Sequence, residues 1–241
     1  MMSSFKKKAK WLVPLCVIVC LMIANLIYGL IYYHADDIAI QALESSETVT
    51  VSRTDYGWFF DGPDEDDLLV FYPGAKVEET AYAPLLHCLA GQGVDVCLVK
   101  MPMRFAFFAK DKADTVFASY EHSNRYICGH SLGGAIAAYY ASRHGDDLKG
   151  VILLAAYPVR DIDDQLFLLS IYGTEDGVLN MDKVIKARAY APVNYIETSI
   201  DGGNHAQFGN YGMQNGDLPA SISAEVQQAV TADLIVDIIQ N

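Results

Sequence analysis

The stretch Gly129-His130-Ser131-Leu132-Gly133 has the pattern Gly-x-Ser-x-Gly, and the residues around it predict its structural setting. The short apolar segment 125–128 precedes it and is typical of a buried strand. The small and apolar residues 134–141 follow it and indicate a helix. A strand, a sharp turn that carries a serine, and a helix are the context in which this motif forms a nucleophile elbow. Gly129 and Gly133 flank the serine, where the absence of a side chain leaves room for a tight turn.

Strand-like and helix-like segments alternate along the chain from Thr48 onward. Continuous apolar runs are typical of strands covered on both faces. The predicted strands are 48–53, its hairpin partner 56–60, and 68–72, 94–99, 125–128, 150–155, 166–172 and 193–197. The predicted helices are 78–90, 111–120, 134–141, 181–190 and 223–240. This alternation predicts an α/β fold with a mostly parallel sheet flanked by helices.

A serine hydroxyl becomes a nucleophile beside a base, and a carboxylate must orient that base. Behind an elbow of this kind, the chain order is serine, acid, histidine. Loops after parallel strands bring such groups to one edge of the sheet. Asp176 directly follows the predicted strand 166–172, so it is the predicted acid, with Glu175 as the alternative. An aspartate in such a turn could instead bind its own backbone.

His205 is the predicted base, because it alone among the six histidines follows Asp176 in the chain. It lies in the Gly-rich loop 201–205, after the last predicted strand. A lone histidine in such a loop is usually a surface residue, but its position behind an elbow favours catalysis. His130 lies inside the elbow and is expected to point away from Ser131.

Two backbone N–H groups are needed to bind the oxyanion of an acyl-transfer reaction. One is predicted to be that of Leu132, the residue after the nucleophile. The other is predicted to come from Ala75, in the turn after strand 68–72, where Gly74 allows close approach of the backbone. The alternative is that residues 73–75 form an ordinary turn between a strand and a helix.

Together these residues resemble the α/β-hydrolase superfamily, from about residue 48 to the C-terminus. The chain is similar to a compact bacterial group related to dienelactone hydrolases. The segments that carry this resemblance are Tyr-Pro-Gly-Ala-Lys-Val (72–77), Gly-His-Ser-Leu-Gly-Gly (129–134), Tyr-Gly-Thr-Glu-Asp-Gly (172–177) and Gly-Asn-His-Ala-Gln-Phe-Gly (203–209). The resemblance implies hydrolysis of an ester-like bond through an acyl-enzyme at Ser131, with no metal or organic cofactor. Dienelactone hydrolases proper use a cysteine nucleophile, so the serine here departs from them.

The site is expected to be open and shallow, because only ten residues separate Ala155 from the next predicted strand and leave no room for a cap domain. The apolar loop 102–108 could line an acyl pocket, dip into a membrane or pack in the core. Tyr157, Pro158 and Val159 are further candidates for pocket walls.

The N-terminus predicts a membrane anchor. Residues 11–33 carry no charge, and at about 1.5 Å per residue they could span a hydrocarbon core about 30 Å thick. The basic tail 1–10 is expected in the cytoplasm, which leaves the catalytic domain outside the cell membrane. Residues 34–47 are predicted to form a short stalk, and 48–241 the catalytic domain. A cleaved signal peptide is the alternative, but its apolar core is shorter.

The charge balance argues against a nucleic-acid partner. The formal net charge is −13, and four of the 17 basic residues are Lys6, Lys7, Lys8 and Lys10. The rest of the chain carries 13 basic and 30 acidic residues. A surface with this excess of negative charge repels phosphate backbones. The five cysteines are expected to be small apolar residues rather than disulfide partners or metal ligands.

The favoured function is a membrane-anchored serine hydrolase that acts on a small ester or acyl substrate. An acyltransferase or a peptidase could use the same three residues, because these activities differ in the acyl acceptor or the bond cleaved. A third interpretation, from another class, is a non-catalytic binding domain on a hydrolase fold, since a fold alone does not imply a function.

Overall fold

The computed structural model describes residues 13–20, 22, 29, 31–64 and 66–240. Met1–Tyr32 and Tyr33–Asn241 form two separate units. In the first unit residues 13–20 are helical. Within the described part of the chain, no helix is both long enough and apolar enough to cross a membrane. Much of the predicted anchor, 11–33, and all of the basic tail, 1–10, lie outside the described residues.

The second unit is built on one sheet of eight strands, in the order β1-β2-β4-β3-β5-β6-β7-β8. β1 pairs antiparallel with β2 as the predicted hairpin, β2 pairs antiparallel with β4, and all other neighbours are parallel. The strands are β1 Thr50–Thr54, β2 Gly57–Asp61, β3 Asp67–Tyr72, β4 Asp95–Val99, β5 Asn124–His130, β6 Gly150–Leu154, β7 Phe167–Gly173 and β8 Asn194–Ile200. The mostly parallel sheet predicted from the alternating segments is therefore confirmed.

The described residues of this unit form six helices, together with short 3-10 turns. They are α1 Asp37–Gln41, α2 Ala83–Gly91, α3 Lys112–Phe117, α4 Leu132–Ala141, α5 Met181–Ala187 and α6 Ala224–Gln240. Side chains cap the N-termini of some of them: the Asn180 side chain accepts the Lys183 N–H at α5, and the Ser223 hydroxyl accepts the Val226 N–H at α6. Two predicted helices are shorter than expected because one end of each is a 3-10 turn, Glu79–Tyr82 and Arg188–Tyr190.

The core forms two apolar layers, one on each face of the sheet. Along β3, Leu69 and Phe71 belong to one layer, whereas Leu68 and Val70 belong to the other. This division follows from the alternation of side chains along a strand. Residues of α2 and α6 complete the first layer, and residues of α3 and α4 complete the second. Both faces of the central strands are therefore covered, as the continuous apolar runs predict.

The predicted stalk, 34–47, packs against the hydrolase unit rather than standing apart from it. The Asp36 N–H donates to the Asn210 carbonyl at 2.9 Å. Just before the stalk, the N–H of Tyr33, the last residue of the predicted anchor, donates to the Lys76 carbonyl at 2.7 Å. The Asp36 carboxylate also caps α1, and Ala39 within α1 is completely buried. A helix of five residues with a single buried side chain has no apolar periodicity, so the sequence pattern did not reveal this packing.

No helix lies between Leu154 and Phe167, a stretch that the structure describes completely. The expectation of a site without a cap rests on this short connection and stays a prediction. The carboxyl ends of β5, β7 and β8, which carry the predicted site residues, meet at one edge of the sheet because these strands are parallel.

Candidate active site

Ser131 lies at the turn between β5 and α4 with φ 53° and ψ −122°. This left-handed conformation is unusual for a residue with a side chain. The Ser131 N–H donates to the Leu154 carbonyl of the neighbouring strand at 2.9 Å, which fixes the turn on the sheet. A Cβ atom at Gly133 would lie 2.2 Å from the Tyr72 carbonyl oxygen, and one at Gly129 would lie 2.6 Å from Gly133. Both glycines are therefore required by the close approach of the backbone.

Asp176 and His205 are joined by a hydrogen bond of 2.8 Å between Oδ2 and Nδ1, and both side chains are almost completely buried. The other oxygen, Oδ1, accepts the N–H groups of Val178 and Leu179 at 2.8 and 2.7 Å. These two bonds hold the carboxylate in place. The structure thus brings Asp176 to the histidine, and the alternative, Glu175, has no bond to it among the described residues.

The bond to Asp176 also fixes the tautomer of His205. An ionised carboxylate can only accept a hydrogen bond, so Nδ1 of His205 carries the proton that it donates to Asp176. In neutral His205 the lone pair is therefore on Nε2. Nε2 is buried and has no hydrogen-bond partner within the described chain. The contact between a nucleophile and its base is often long before substrate binds. Nε2 is thus free to accept a proton.

Ser131 and His205 line the same cavity, which has a volume of about 290 Å³. The other lining residues are Leu132, Ala135, Ala155, Ala156, Tyr157, Val178, Leu179, Asn180 and Lys183. Of the candidate wall residues, Tyr157 lines this cavity, whereas Pro158 and Val159 do not. The loop 102–108 is not part of it either. Met103, Phe107 and Phe108 in that loop are about half exposed, so they are not core residues.

The two predicted oxyanion donors have backbone N–H groups without an acceptor in the described chain. Leu132 is the first residue of α4, where amides have no partner within the helix. On the other loop, the Gly74 N–H donates to the Tyr82 hydroxyl and the Lys76 N–H donates to the Arg104 carbonyl, both at 3.0 Å. The Ala75 amide between them is left unused. Leu132 lines the cavity and Ala75 does not. The oxyanion role stays a prediction for both residues.

His130 is completely buried beside His205, with the two ring centres 4.6 Å apart. Its Nδ1 is 2.8 Å from the Tyr82 hydroxyl, and its ring is not part of the cavity wall. Burial, and secondly repulsion by His205, hold the pKa of His130 well below its ordinary value, while the nearby backbone of His205 opposes this weakly. His130 is therefore neutral near pH 7.

Sequence reasoning missed Asp217, whose carboxylate links the acid loop to the histidine loop. Oδ1 accepts the N–H groups of Gly177 and His205 at 3.0 and 3.3 Å, and Oδ2 accepts that of Ala206 at 2.9 Å. The only signal in the sequence is an acidic residue in the Gly-containing turn 214–217, after His205. Within the described residues, no three His, Cys, Asp or Glu side chains are grouped so that they could hold a metal ion.

Comparison with solved structures shows the same fold at low sequence identity. An esterase of M. tuberculosis matches with a TM-score of 0.59 and 11% identity, over 84% of this chain and 96% of that one. Est1E from Butyrivibrio proteoclasticus matches with a TM-score of 0.56 and 14% identity, over 81% and 100% of the two chains. A dienelactone hydrolase from Anabaena variabilis matches with a TM-score of 0.56 and 12% identity, over 79% and 97%.

No curated protein sequence matches the chain. Residues 68–229 match the alpha/beta hydrolase family, and this segment includes Ser131, Asp176 and His205. The match covers more than half of the chain, as the resemblance in the sequence implied. The chain therefore belongs to the alpha/beta hydrolase family.

Proposed function

We propose that the protein hydrolyses a carboxylic ester or a related acyl bond, with Ser131 as nucleophile, His205 as base and Asp176 as the orienting acid. The observation that carries this proposal is the buried bond of 2.8 Å from His205 to Asp176, in a histidine that shares a cavity with Ser131. The family match and the esterases among the structural neighbours support the same class of reaction.

Acylation begins when Ser131 Oγ attacks the carbonyl carbon of the substrate and its proton moves to Nε2 of His205. The Asp176 carboxylate stabilises the imidazolium that forms. The N–H groups of Leu132 and Ala75 donate to the oxyanion of the tetrahedral intermediate. The intermediate then expels the alcohol, which takes the proton from Nε2 and leaves an acyl group on Oγ.

Deacylation repeats these steps with water in place of the serine. His205 takes a proton from a water molecule, and the resulting hydroxide attacks the acyl carbonyl carbon. The second intermediate expels Ser131 Oγ, which regains its proton from Nε2, and the carboxylic acid leaves. No other group is needed for proton balance.

The cavity favours a small substrate. Its volume of about 290 Å³ lies just below the range for small-molecule sites, which is roughly 300–1,000 Å³. Ala135, Ala156 and Leu179 give it apolar walls, whereas Asn180 and Lys183 add polar groups. These features fit a short acyl chain better than a long one.

Hydrolysis of p-nitrophenyl esters from acetate to palmitate by the full chain in detergent tests this function. We expect short esters to be preferred, and Ser131→Ala to lower kcat by about 10⁴-fold or more, because the nucleophile is lost. Ser142→Ala is the matched control, because its hydroxyl bonds to the Tyr139 carbonyl and does not line the cavity.

Covalent labelling separates this enzyme from a binding domain on the same fold. A fluorophosphonate probe should label the wild type and Ser142→Ala but not Ser131→Ala. A folded wild type that neither turns over any ester nor reacts with the probe would refute the proposed function. Transfer of the acyl group to an added alcohol instead of water would identify an acyltransferase.

We also propose that residues 11–33 anchor the protein in the cell membrane, with the catalytic domain on the extracytoplasmic side. The uncharged run and the lysines before it support this orientation. Membrane fractions should retain the protein after alkaline carbonate washing. Protease added to intact spheroplasts should digest the catalytic domain. Release of the protein by the wash, or its protection from protease, would contradict the anchor or its orientation respectively.

A further inference from the structure

The Tyr82 hydroxyl occupies a buried position between the predicted oxyanion loop and the elbow. It accepts the Gly74 N–H at 3.0 Å and lies 2.8 Å from Nδ1 of His130. Both side chains are completely buried. A Cβ atom at Gly74 would lie 2.7 Å from this hydroxyl and 2.9 Å from Nδ1, so glycine is required for the contact.

Counting protons fixes the direction of these hydrogen bonds. The Gly74 amide can only donate, so the single proton of the Tyr82 hydroxyl needs another acceptor. Within the described chain, Nδ1 of His130 is the acceptor within reach. Nδ1 is therefore unprotonated, and neutral His130 carries its proton on Nε2.

The His130 ring in turn packs against His205, with ring centres 4.6 Å apart, and against Phe208 at 5.6 Å. A continuous set of contacts thus runs from Gly74, next to Ala75, through Tyr82 and His130 to the predicted base. Neither Tyr82 nor His130 lines the cavity. Any effect of these two side chains on the reaction must therefore pass through other residues.

We propose that Tyr82 and His130 are positioning residues, which hold the Ala75 amide and the His205 ring in fixed places about Ser131. This inference rests on the proposed function. It adds two residues that keep the oxyanion donor and the base at fixed positions relative to each other. Oxyanion donors act only when they are held at the position where the charge develops. The Gly74 N–H donates to the Tyr82 hydroxyl, and this bond holds the residue that precedes Ala75.

Removing the hydroxyl with Tyr82→Phe frees the Gly74 amide and His130 together. We expect kcat to fall about 10–100-fold, while KM changes less than threefold. This fall in kcat is at most comparable with that caused by removing an oxyanion donor. Tyr140→Phe is the matched control. Like Tyr82, Tyr140 does not line the cavity, but its hydroxyl donates to Asp114 at 2.6 Å instead of contacting Gly74 and His130. That variant should lose stability and keep its kcat.

Two substitutions of His130 separate a positioning role from a packing role. In His130→Asn the side-chain oxygen can take the place of Nδ1 and accept the Tyr82 proton, whereas His130→Leu offers no acceptor. We expect Asn to retain at least tenfold more kcat than Leu in the wild-type background. In the Tyr82→Phe background, where no hydroxyl remains, the two should have the same kcat within a factor of two.

The outcomes are distinguishable. If Tyr82→Phe keeps the kcat of the wild type while Ser131→Ala is inactive, the positioning role is wrong and the proposed function stands. An equal loss of kcat in Tyr82→Phe and Tyr140→Phe would also overturn it, since the effect would then be general. If Ser131→Ala is as active as the wild type, both proposals fail. All rates are to be measured well below the melting temperature of each variant.

Discussion

Asp217 and Asp176 both contact the residues around His205, but their bonds predict different effects on catalysis. Asp217 binds backbone N–H groups, whereas Asp176 binds the imidazole itself. In Asp217→Asn the new amide cannot replace Oδ2 as acceptor of the Ala206 N–H. We expect kcat to fall about tenfold and stability to fall by about 1 kcal/mol, measured by ester hydrolysis and thermal unfolding.

Asp176→Asn should lower kcat far more, by about 10⁴-fold, the size measured for the same change in a known serine triad, where the wrong tautomer results. Asp201→Asn is the control for both, because Asp201 is exposed in the same loop and bonds to the Thr174 hydroxyl. If Asp217→Asn and Asp176→Asn lost equal activity, the assignment of Asp176 as the only orienting acid would be wrong.

For single residues of the site, the sequence indicates those whose roles follow chain order. It does not indicate those that bind the backbone of another loop. Ser131, Asp176 and His205 each follow a strand in the expected order, so chain order alone indicates them. Tyr82 accepts the amide of Gly74, eight residues away, and Asp217 accepts amides that are 11 to 40 residues away. No local pattern shows which amides they accept, so their positions became evident only in the folded chain.

The elbow is the element on which the site depends, and its glycines allow a direct test. In Gly133→Ala the added Cβ would lie 2.2 Å from the Tyr72 carbonyl oxygen and 2.3 Å from that of Pro73. Backbone atoms cannot give way as a flexible side chain can. We therefore expect a loss of more than about 3 kcal/mol in stability, or insoluble protein, in denaturant unfolding and expression assays.

Gly91→Ala is the matched control, because a Cβ there would meet only Val49 Cγ2 at an ordinary contact distance of 3.7 Å. Gly91 ends α2, where alanine has the higher helix propensity. Its stability should equal that of the wild type or exceed it slightly. Stable, fully active Gly133→Ala protein would contradict the tight packing of the elbow.

Element prediction succeeded where a segment is long and its apolar pattern is strong. The central strands are buried on both faces and read as continuous apolar runs, so β3, β6 and β7 were placed closely. The segment that contains α1 is predicted as a stalk, whereas the structure holds it by hydrogen bonds: the Ala39 N–H donates to the Asp36 carboxylate and the Asp36 N–H donates to the Asn210 carbonyl. Such bonds leave no trace in hydrophobic periodicity.

The stability of the whole domain should depend on pH through His130, in addition to the usual carboxylates. Burial holds the pKa of His130 well below 6.5 in the folded protein, whereas in the unfolded chain it is close to 6.5. Below pH 6.5 the unfolded chain therefore binds a proton that the folded domain does not. Stability from this group is complete above pH 6.5 and is lost as the pH falls, by about 1.4 kcal/mol per pH unit.

Denaturant unfolding at intervals from pH 7.5 to 5 measures this loss, and His130→Asn isolates it. The variant has no imidazole at this position but can still accept a hydrogen bond from the Tyr82 hydroxyl, so it should retain the fold. The slope of its unfolding free energy against pH, between pH 6.5 and 5, should be smaller than that of the wild type by the value for one proton. An identical slope in the variant and the wild type would mean that His130 takes up a proton while folded. That result would remove the neutral acceptor on which the bond from Tyr82 depends.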